Sequence, residues 1–251
     1  MIIYGKNPVI EALLGMPSKV EEVLISQEGK GERYSEIIKL ARENKVKISF
    51  LPQKALSKIS DTPGHQGVLA RIRDFEYAPL DQILGRAKGK GEKPLLLILD
   101  HIEDPQNLGA MIRTVNVLGA HGVVIPKDRS ASVTPAVIKA SAGATSFIPV
   151  ARVINIVSVM KELKKNGLWI VGADQSAPKA VFEENLGKLD LALVIGSEGK
   201  GLGRLVREEC DFLVSIPGVG EVSSLNASVA AGIIIYEVMR QRRSIQNISQ
   251  E

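Results

Sequence analysis

The sequence predicts an α/β protein: a small N-terminal α/β unit, then a larger domain built on a mostly parallel sheet with helices on both faces. Three observations carry this. From Pro94 onward, apolar strand-like runs alternate with helical stretches, the order that produces parallel strands joined by crossover helices. The run LLLILD (95–100) is apolar at almost every position, as a strand covered on both faces requires. Glycines and polar residues follow directly after three of the predicted strands, where open α/β sheets bind their ligands.

Taken in order, residues 1–73 form the first unit. Ile10, Leu13 and Leu14 give a short helical face, and VEEVLIS (20–26) reads as a strand. Tyr34, Ile37, Ile38 and Ala41 recur at helical spacing, and VKISFL (46–51) and QGVLARI (66–72) are further strands. Residues 74–93 hold a short possible helix and then GRAKGKGEK, which together read as a linker. The second domain spans 94–251. In it, strands are expected at 95–100, 122–126, 168–173, 191–196 and 212–217. Helices are expected at 107–119, near 134–141, at 154–165 and at 225–243.

Composition narrows the function classes. The chain has 251 residues, a formal net charge of +4 and only 4% aromatics. That charge permits a polyanionic partner without demanding one, and so few aromatics argue against a stacking platform for bases. Cys210 is the only cysteine, so no intrachain disulfide and no cysteine-based zinc site can form. His65, His101 and His121 show no metal-ligand spacing, and no metal is expected. No apolar run approaches the length of a membrane span, and the N-terminus lacks a signal-peptide layout, so a cytoplasmic protein is expected.

The three loop segments concentrate the chemistry. In LDHIEDPQNLGAMIRTVNVLG (99–119), Asp104-Pro105 marks a turn and Asn107 is a plausible N-cap. Leu108, Ile112 and Val115 form the core stripe, while Gly109, Arg113 and Asn116 share another face, where Arg113 could equally be a surface ion pair. In LVIGSEGKGLGRLV (193–206), a buried strand runs into Gly196-Ser197-Glu198-Gly199, a loop whose backbone N–H groups can face a ligand or simply turn the chain. It fits neither the Walker nor the dinucleotide frame. In SIPGVGEVSSLNASVAAGIIIYEV (215–238), Ser223, Ser224 and Asn226 open a helix, as caps or beside an anion.

The order N-L-G-x-x-x-R, I-G-S-E-G-x-G-L and I-P-x-x-G-x-V-S-S-L-N resembles the three motifs of the SpoU (TrmH-like) RNA ribose 2′-O-methyltransferases, within the SPOUT superfamily. IYGKNPVIEALL (3–14) and HQGVLARI (65–72) resemble that family's RNA-binding domain; KASAGA (139–144) and YEVMRQRR (236–243) are also similar to the family. The subgroup it resembles most methylates a guanosine of large-subunit (23S) rRNA. A tRNA ribose methyltransferase, or a non-catalytic RNA-binding or ribosome-assembly protein of the same fold, are the alternatives. Gly218 departs from the pattern, which would place a methionine after Ile216-Pro217.

The resemblance implies a trefoil knot in the C-terminal domain, S-adenosyl-L-methionine as cofactor, structured RNA as partner and a homodimer. It implies cofactor contacts at Gly196, Ser197, Gly199, Ile216 and Leu225, and catalytic or supporting roles for Asn107, Arg113, Glu198, Ser224 and Asn226. No histidine falls within the three motifs, and a guanidinium is a poor resident base, so an electrostatic role at the developing alkoxide suits Arg113 better. The last helix is apolar nearly all round (Val229 to Met239), so it is buried either within its own domain or against a second copy.

Overall fold

The computed structural model describes residues 2–29, 32–60, 63–221 and 224–248. The chain divides into two compact units. One comprises Met1–Glu76 with Val133–Gly143, and the other Tyr77–Ser132 with Ala144–Glu251.

In the first unit, β1 (Ile2–Tyr4), α1 (Lys6–Gly15), β2 (Val20–Ser26), α2 (Ser35–Glu43), β3 (Lys47–Leu51), α3 (Gln53–Ser60) and β4 (Val68–Ile72) build a sheet of order β1-β4-β2-β3. Only β2 and β3 run parallel. The helical face of α1 is Val9, Ala12 and Leu13, whereas Leu14, expected on that face, is exposed. A 100° step per residue carries position 14 off a stripe centred on 9, 12 and 13. HQG (65–67) is a structural turn. Buried His65 accepts from Gly67 N through Nδ1, and Tyr34 Oη donates to Gln66 O at 2.8 Å. A Cβ on Gly67 would lie 2.3 Å from Tyr34 Oη, so only glycine fits.

The second unit holds α4 (Leu80–Lys90), β5 (Leu95–Asp100), α5 (Pro105–Leu118) and β6 (Gly122–Pro126). After α6 (Pro135–Ala140), which packs on α1 in the first unit, come β7 (Val150–Val153), α7 (Ile156–Lys165), β8 (Trp169–Ala173), β9 (Leu191–Gly196), α8 (Arg204–Glu209), β10 (Phe212–Val214) and α9 (Ala227–Ile248). Six strands in the order β10-β8-β9-β5-β6-β7 pair in parallel throughout. β5 and β9 lie at the centre, which is why both read as continuous apolar runs. Residues 80–90, read as part of a linker, form α4 instead. Ile83 and Ala87 are fully buried, and that packing outweighs the helix-weakening glycines of GRAKGKGEK. The strand expected over 212–217 ends at Val214.

Among the described residues no helix is long and apolar enough to cross a membrane. At the other end of the sheet from the glycine loops, buried His121 accepts from Leu95 N at 3.1 Å through Nδ1 and therefore donates Nε2–H to Glu92 at 3.0 Å. Burial lowers its pKa below the ordinary 6.5, against the opposing hydrogen bond to Glu92. The unfolded chain then binds a proton that the folded chain resists. The contribution of His121 is full above the unfolded value and is lost as pH falls through the window below it. Between about pH 7.5 and about pH 5, urea midpoints of the wild type should fall more than those of His121→Gln. Equal falls would contradict the assignment.

Candidate active site

Three chain segments, whose meeting residues lie 91 and then 28 positions apart in sequence, come together beyond the carboxyl ends of β5 and β9. The first is the start of α5. Asp104 caps it, accepting from Gln106 N at 3.0 Å, with Pro105 at the first helical position. The cap expected at Asn107 is therefore at Asp104, because a proline at 105 fixes the start of the helix. Asn107 instead sits inside the first turn and is buried.

The second segment is the loop after β9. Gly196 passes so close to the returning chain that a Cβ there would lie 2.2 Å from the Gly201 carbonyl carbon. Ser197 and Gly201 exchange backbone hydrogen bonds at 3.2 and 2.9 Å, which closes a narrow loop with Glu198 at its first corner. Gly196 is thus required by the loop's own backbone.

The third segment leads into α9. Asn226 caps that helix, its Oδ1 accepting from Ser228 N at 2.9 Å and Val229 N at 3.3 Å. Its amide nitrogen is free to reach the other two segments. It donates to Glu198 Oε1 at 2.5 Å and Asn107 Oδ1 at 2.9 Å, while Asn107 Nδ2 donates to Glu198 Oε1 at 2.9 Å. Ala227 N also donates to Glu198 at 3.3 Å, so the carboxylate sits on the N-terminus of α9, where the helix dipole favours it. The capping reading of Asn226 is correct, and the same side chain also bonds to the other two segments.

Arg113 is not brought into this cluster. It lies six residues beyond Asn107, about 9 Å along the helix and roughly a third of a turn around. Its side chain is exposed and forms no hydrogen bond or ion pair with any described residue. Thr114, Val117, Leu118, Gly232 and Tyr236 line an open groove with it, between α5 and α9. Ser224 and Leu225 are exposed and Ile216 is half-buried. Val222 and Ser223 lie outside the described residues.

Sequence reasoning missed two features. Asp100 and His101 pair at the end of β5. Beyond β8, Asp174 accepts from Ser176 N at 2.8 Å and pairs with Arg207 at 2.5 Å. A lone acid ending an apolar strand, as in LLLILD, was the available signal for the first. Nothing in the spacing marked the second.

The donor set suits a ligand held by main chain. The backbone N–H groups of Glu198, Gly199, Lys200, Ile216, Gly218 and Leu225 have no partner among the described residues. No group of three or more His, Cys, Asp or Glu suited to a metal occurs among them. Burial pushes the Cys210 thiol up to about 12, which removes it as a nucleophile.

The SpoU rRNA Methylase family profile matches residues 94–236. The chain belongs to the SpoU family. A second profile, RNA 2′-O ribose methyltransferase substrate binding, matches residues 2–78. YacO of Bacillus subtilis, assigned to the TrmH family of tRNA/rRNA methyltransferases, is 46% identical over 243 residues, covering 97% of this chain and 96% of its own. AviRb, a SpoU methyltransferase of Streptomyces viridochromogenes solved in complex with AdoMet, aligns with a TM-score of 0.66 at 29% identity, covering 97% of this chain and 91% of AviRb. A TrmH/SpoU tRNA modifying enzyme of A. aeolicus aligns at 0.56 and 27% identity, over 66% of this chain and 87% of its own. This SpoU chain is accordingly an S-adenosylmethionine-dependent RNA 2′-O-ribose methyltransferase. Its parallel sheet and these likenesses are consistent with the knotted SPOUT topology that the motifs implied.

Proposed function

We propose that this enzyme methylates a guanosine ribose in large-subunit ribosomal RNA, acting as a cytoplasmic homodimer. Residues 1–73 would select the RNA, 74–93 would connect, and 94–251 would carry out transfer. The observation that carries the catalytic reading is the Asn107–Glu198–Asn226 cluster, which joins one residue from each motif. The rRNA target rests on the subgroup resemblance in HQGVLARI and the three motifs.

Gly196, Ser197, Gly199, Ile216 and Leu225 would hold S-adenosylmethionine, mainly through the unpaired backbone groups of their two loops, with Ile216 and Leu225 adding apolar contact. The bound cofactor supplies an electrophilic methyl on a sulfonium. Glu198 keeps the two loops and α5 in register by accepting from Asn107, Asn226 and Ala227. Ser224 flanks the RNA side of the same turn. Arg113 supplies positive charge for an RNA phosphate and for the oxygen that gains charge as it attacks. Alignment of the two reactants does much of the rest.

The position of Arg113 supports the dimer. Val229, Ile233 and Tyr236 on α9 are 48%, 39% and 59% exposed at helical spacing, and Val117 on α5 is 72% exposed. Such a stripe calls for a cover, and a second copy would bring its Arg113 to this chain's cluster. Ile234 faces its own core and would report folding, so Ile233 is the better probe. Ile233→Glu should give a folded monomer by light scattering, with cofactor binding retained and transfer lost. A monomeric wild type that is fully active would contradict the dimer.

The target is tested with labelled cofactor and separate rRNA and tRNA fractions. Label in large-subunit rRNA, mapped to one guanosine, is the expected result. Label confined to tRNA would transfer the assignment to that substrate, and none in either RNA would favour the non-catalytic alternative.

A further inference from the structure

We propose that Asp100 is a positioning residue for methyl transfer, its buried carboxylate fixing the loop that presents Glu198. The proposal rests on the reading of the Glu198 loop as part of the active site.

Asp100 ends β5 directly opposite Gly196 in the sheet register, and it is 1% exposed. The five residues before it are fully buried leucines and isoleucine. A carboxylate in that setting is costly unless both oxygens are satisfied. Both are. Oδ2 accepts from Gly203 N at 2.7 Å, and Oδ1 lies 2.5 Å from His101 Nδ1, which must be the donor to an ionised carboxylate.

Gly203 is where the loop after β9 ends and α8 begins. The loop is therefore held at three points. Gly196 packs against Gly201 at the entry, Ser197 and Gly201 bond across the waist, and Asp100 grips the exit. Glu198 lies between the first and last of these. His101 adopts φ 58°, a backbone conformation that residues other than glycine rarely take, and its imidazole reaches back to Asp100. Among the described residues, no side chain of the Asn107–Glu198–Asn226 cluster hydrogen-bonds to Asp100, whose partners are Gly203 and His101, so its influence passes through the loop backbone.

Three variants separate this role from a purely structural one. Asp100→Ala removes the acceptor. Asp100→Asn keeps an oxygen for Gly203 N and an amide that can donate to the other His101 tautomer. Gly203→Pro, at a residue whose φ of −60° suits proline, removes the donor and sets ring atoms against Asp100 Oδ2, where a Cβ alone would lie 3.2 Å away, so it breaks the same contact from the loop side. Isothermal titration with S-adenosylmethionine and single-turnover transfer to the RNA substrate are measured on full-length protein, with thermal melts as the folding control. Asp100→Ala and Gly203→Pro should each weaken cofactor binding about tenfold or more, whereas Asp100→Asn should stay within about threefold of wild type. The Asp100→Ala/Gly203→Pro double variant should be no worse than either single one, because both delete the same bond.

Wild-type affinity and turnover in Asp100→Ala or Gly203→Pro, with only a lowered melting temperature, would overturn the proposal. So would equal losses in Asp100→Asn and Asp100→Ala. If Asp100→Ala fails to fold, Asp100→Asn and Gly203→Pro decide by the same criteria. Glu198→Ala, measured alongside, tests the reading beneath: wild-type turnover in that variant would remove Glu198 from the site, whereas a loss there beside unaffected Asp100 and Gly203 variants would reject Asp100 alone.

Discussion

Arg113→Ala lowers single-turnover methyl transfer by about 10²–10³-fold, the effect expected for removing one charge-stabilising donor, while S-adenosylmethionine affinity stays within about twofold of wild type. The split follows from position. Arg113 is exposed, has no partner among the described residues and makes no bond to the loops that would hold the cofactor. Its charge is therefore available to RNA and contributes nothing to loop shape. Arg113→Lys should recover only part of the loss, since an ammonium does not reproduce the planar fork of donors. Rate measured with saturating RNA separates lost catalysis from lost RNA affinity. Wild-type turnover in Arg113→Ala would remove the residue from the mechanism. A parallel loss of cofactor affinity would instead place it in the cofactor site.

Arg242→Met lowers stability by about 3–5 kcal/mol, because three hydrogen bonds from a half-buried cation to backbone are deleted together. The guanidinium donates to Lys93 O at 2.6 Å, Pro94 O at 2.8 Å and Leu189 O at 3.0 Å. Those carbonyls lie just before β5 and β9, so a single side chain on α9 ties the last helix to the two central strands. Burial lowers the Arg242 pKa, with Asp190 and Glu92 opposing, yet an arginine so placed keeps its charge. Methionine fills much of the volume and isolates the loss of the bonds. Chemical denaturation monitored by far-UV dichroism reads the change, and an unfolding free energy within about 1 kcal/mol of wild type would show that the three bonds contribute little.

Much of the fold was legible because it is written in local patterns. LLLILD and LALVIG are apolar throughout, and the central position of β5 and β9 is the physical reason. The short edge strands were not legible. β1 has three residues and β7 four, one of them Arg152, too few to show a period. α4 was obscured by three glycines in GRAKGKG, since its stability comes from burying Ile83 and Ala87, which composition does not display.

The site divides in the same way. Asn107, Glu198 and Asn226 each stood out beside a glycine or a helix start, but their meeting spans 119 residues of sequence, and no periodicity encodes that. Only the order of the three motifs suggested it. Asn107 as a cap was a local inference that lost to a better local signal, Asp104 followed by Pro105. Asp100 and His101 were passed over because an acid at a strand end has no distinctive spacing. Its two bonds become visible only when the loop after β9 folds back onto it.

The most direct test uses one RNA substrate in two forms, identical except that the target nucleotide carries either a ribose 2′-hydroxyl or a 2′-hydrogen. With labelled S-adenosylmethionine and full-length protein, the hydroxyl form should take up one methyl per molecule and the deoxy form none. Equal labelling of both would place the methyl on a base atom and contradict the account of this chain as a ribose 2′-O-methyltransferase.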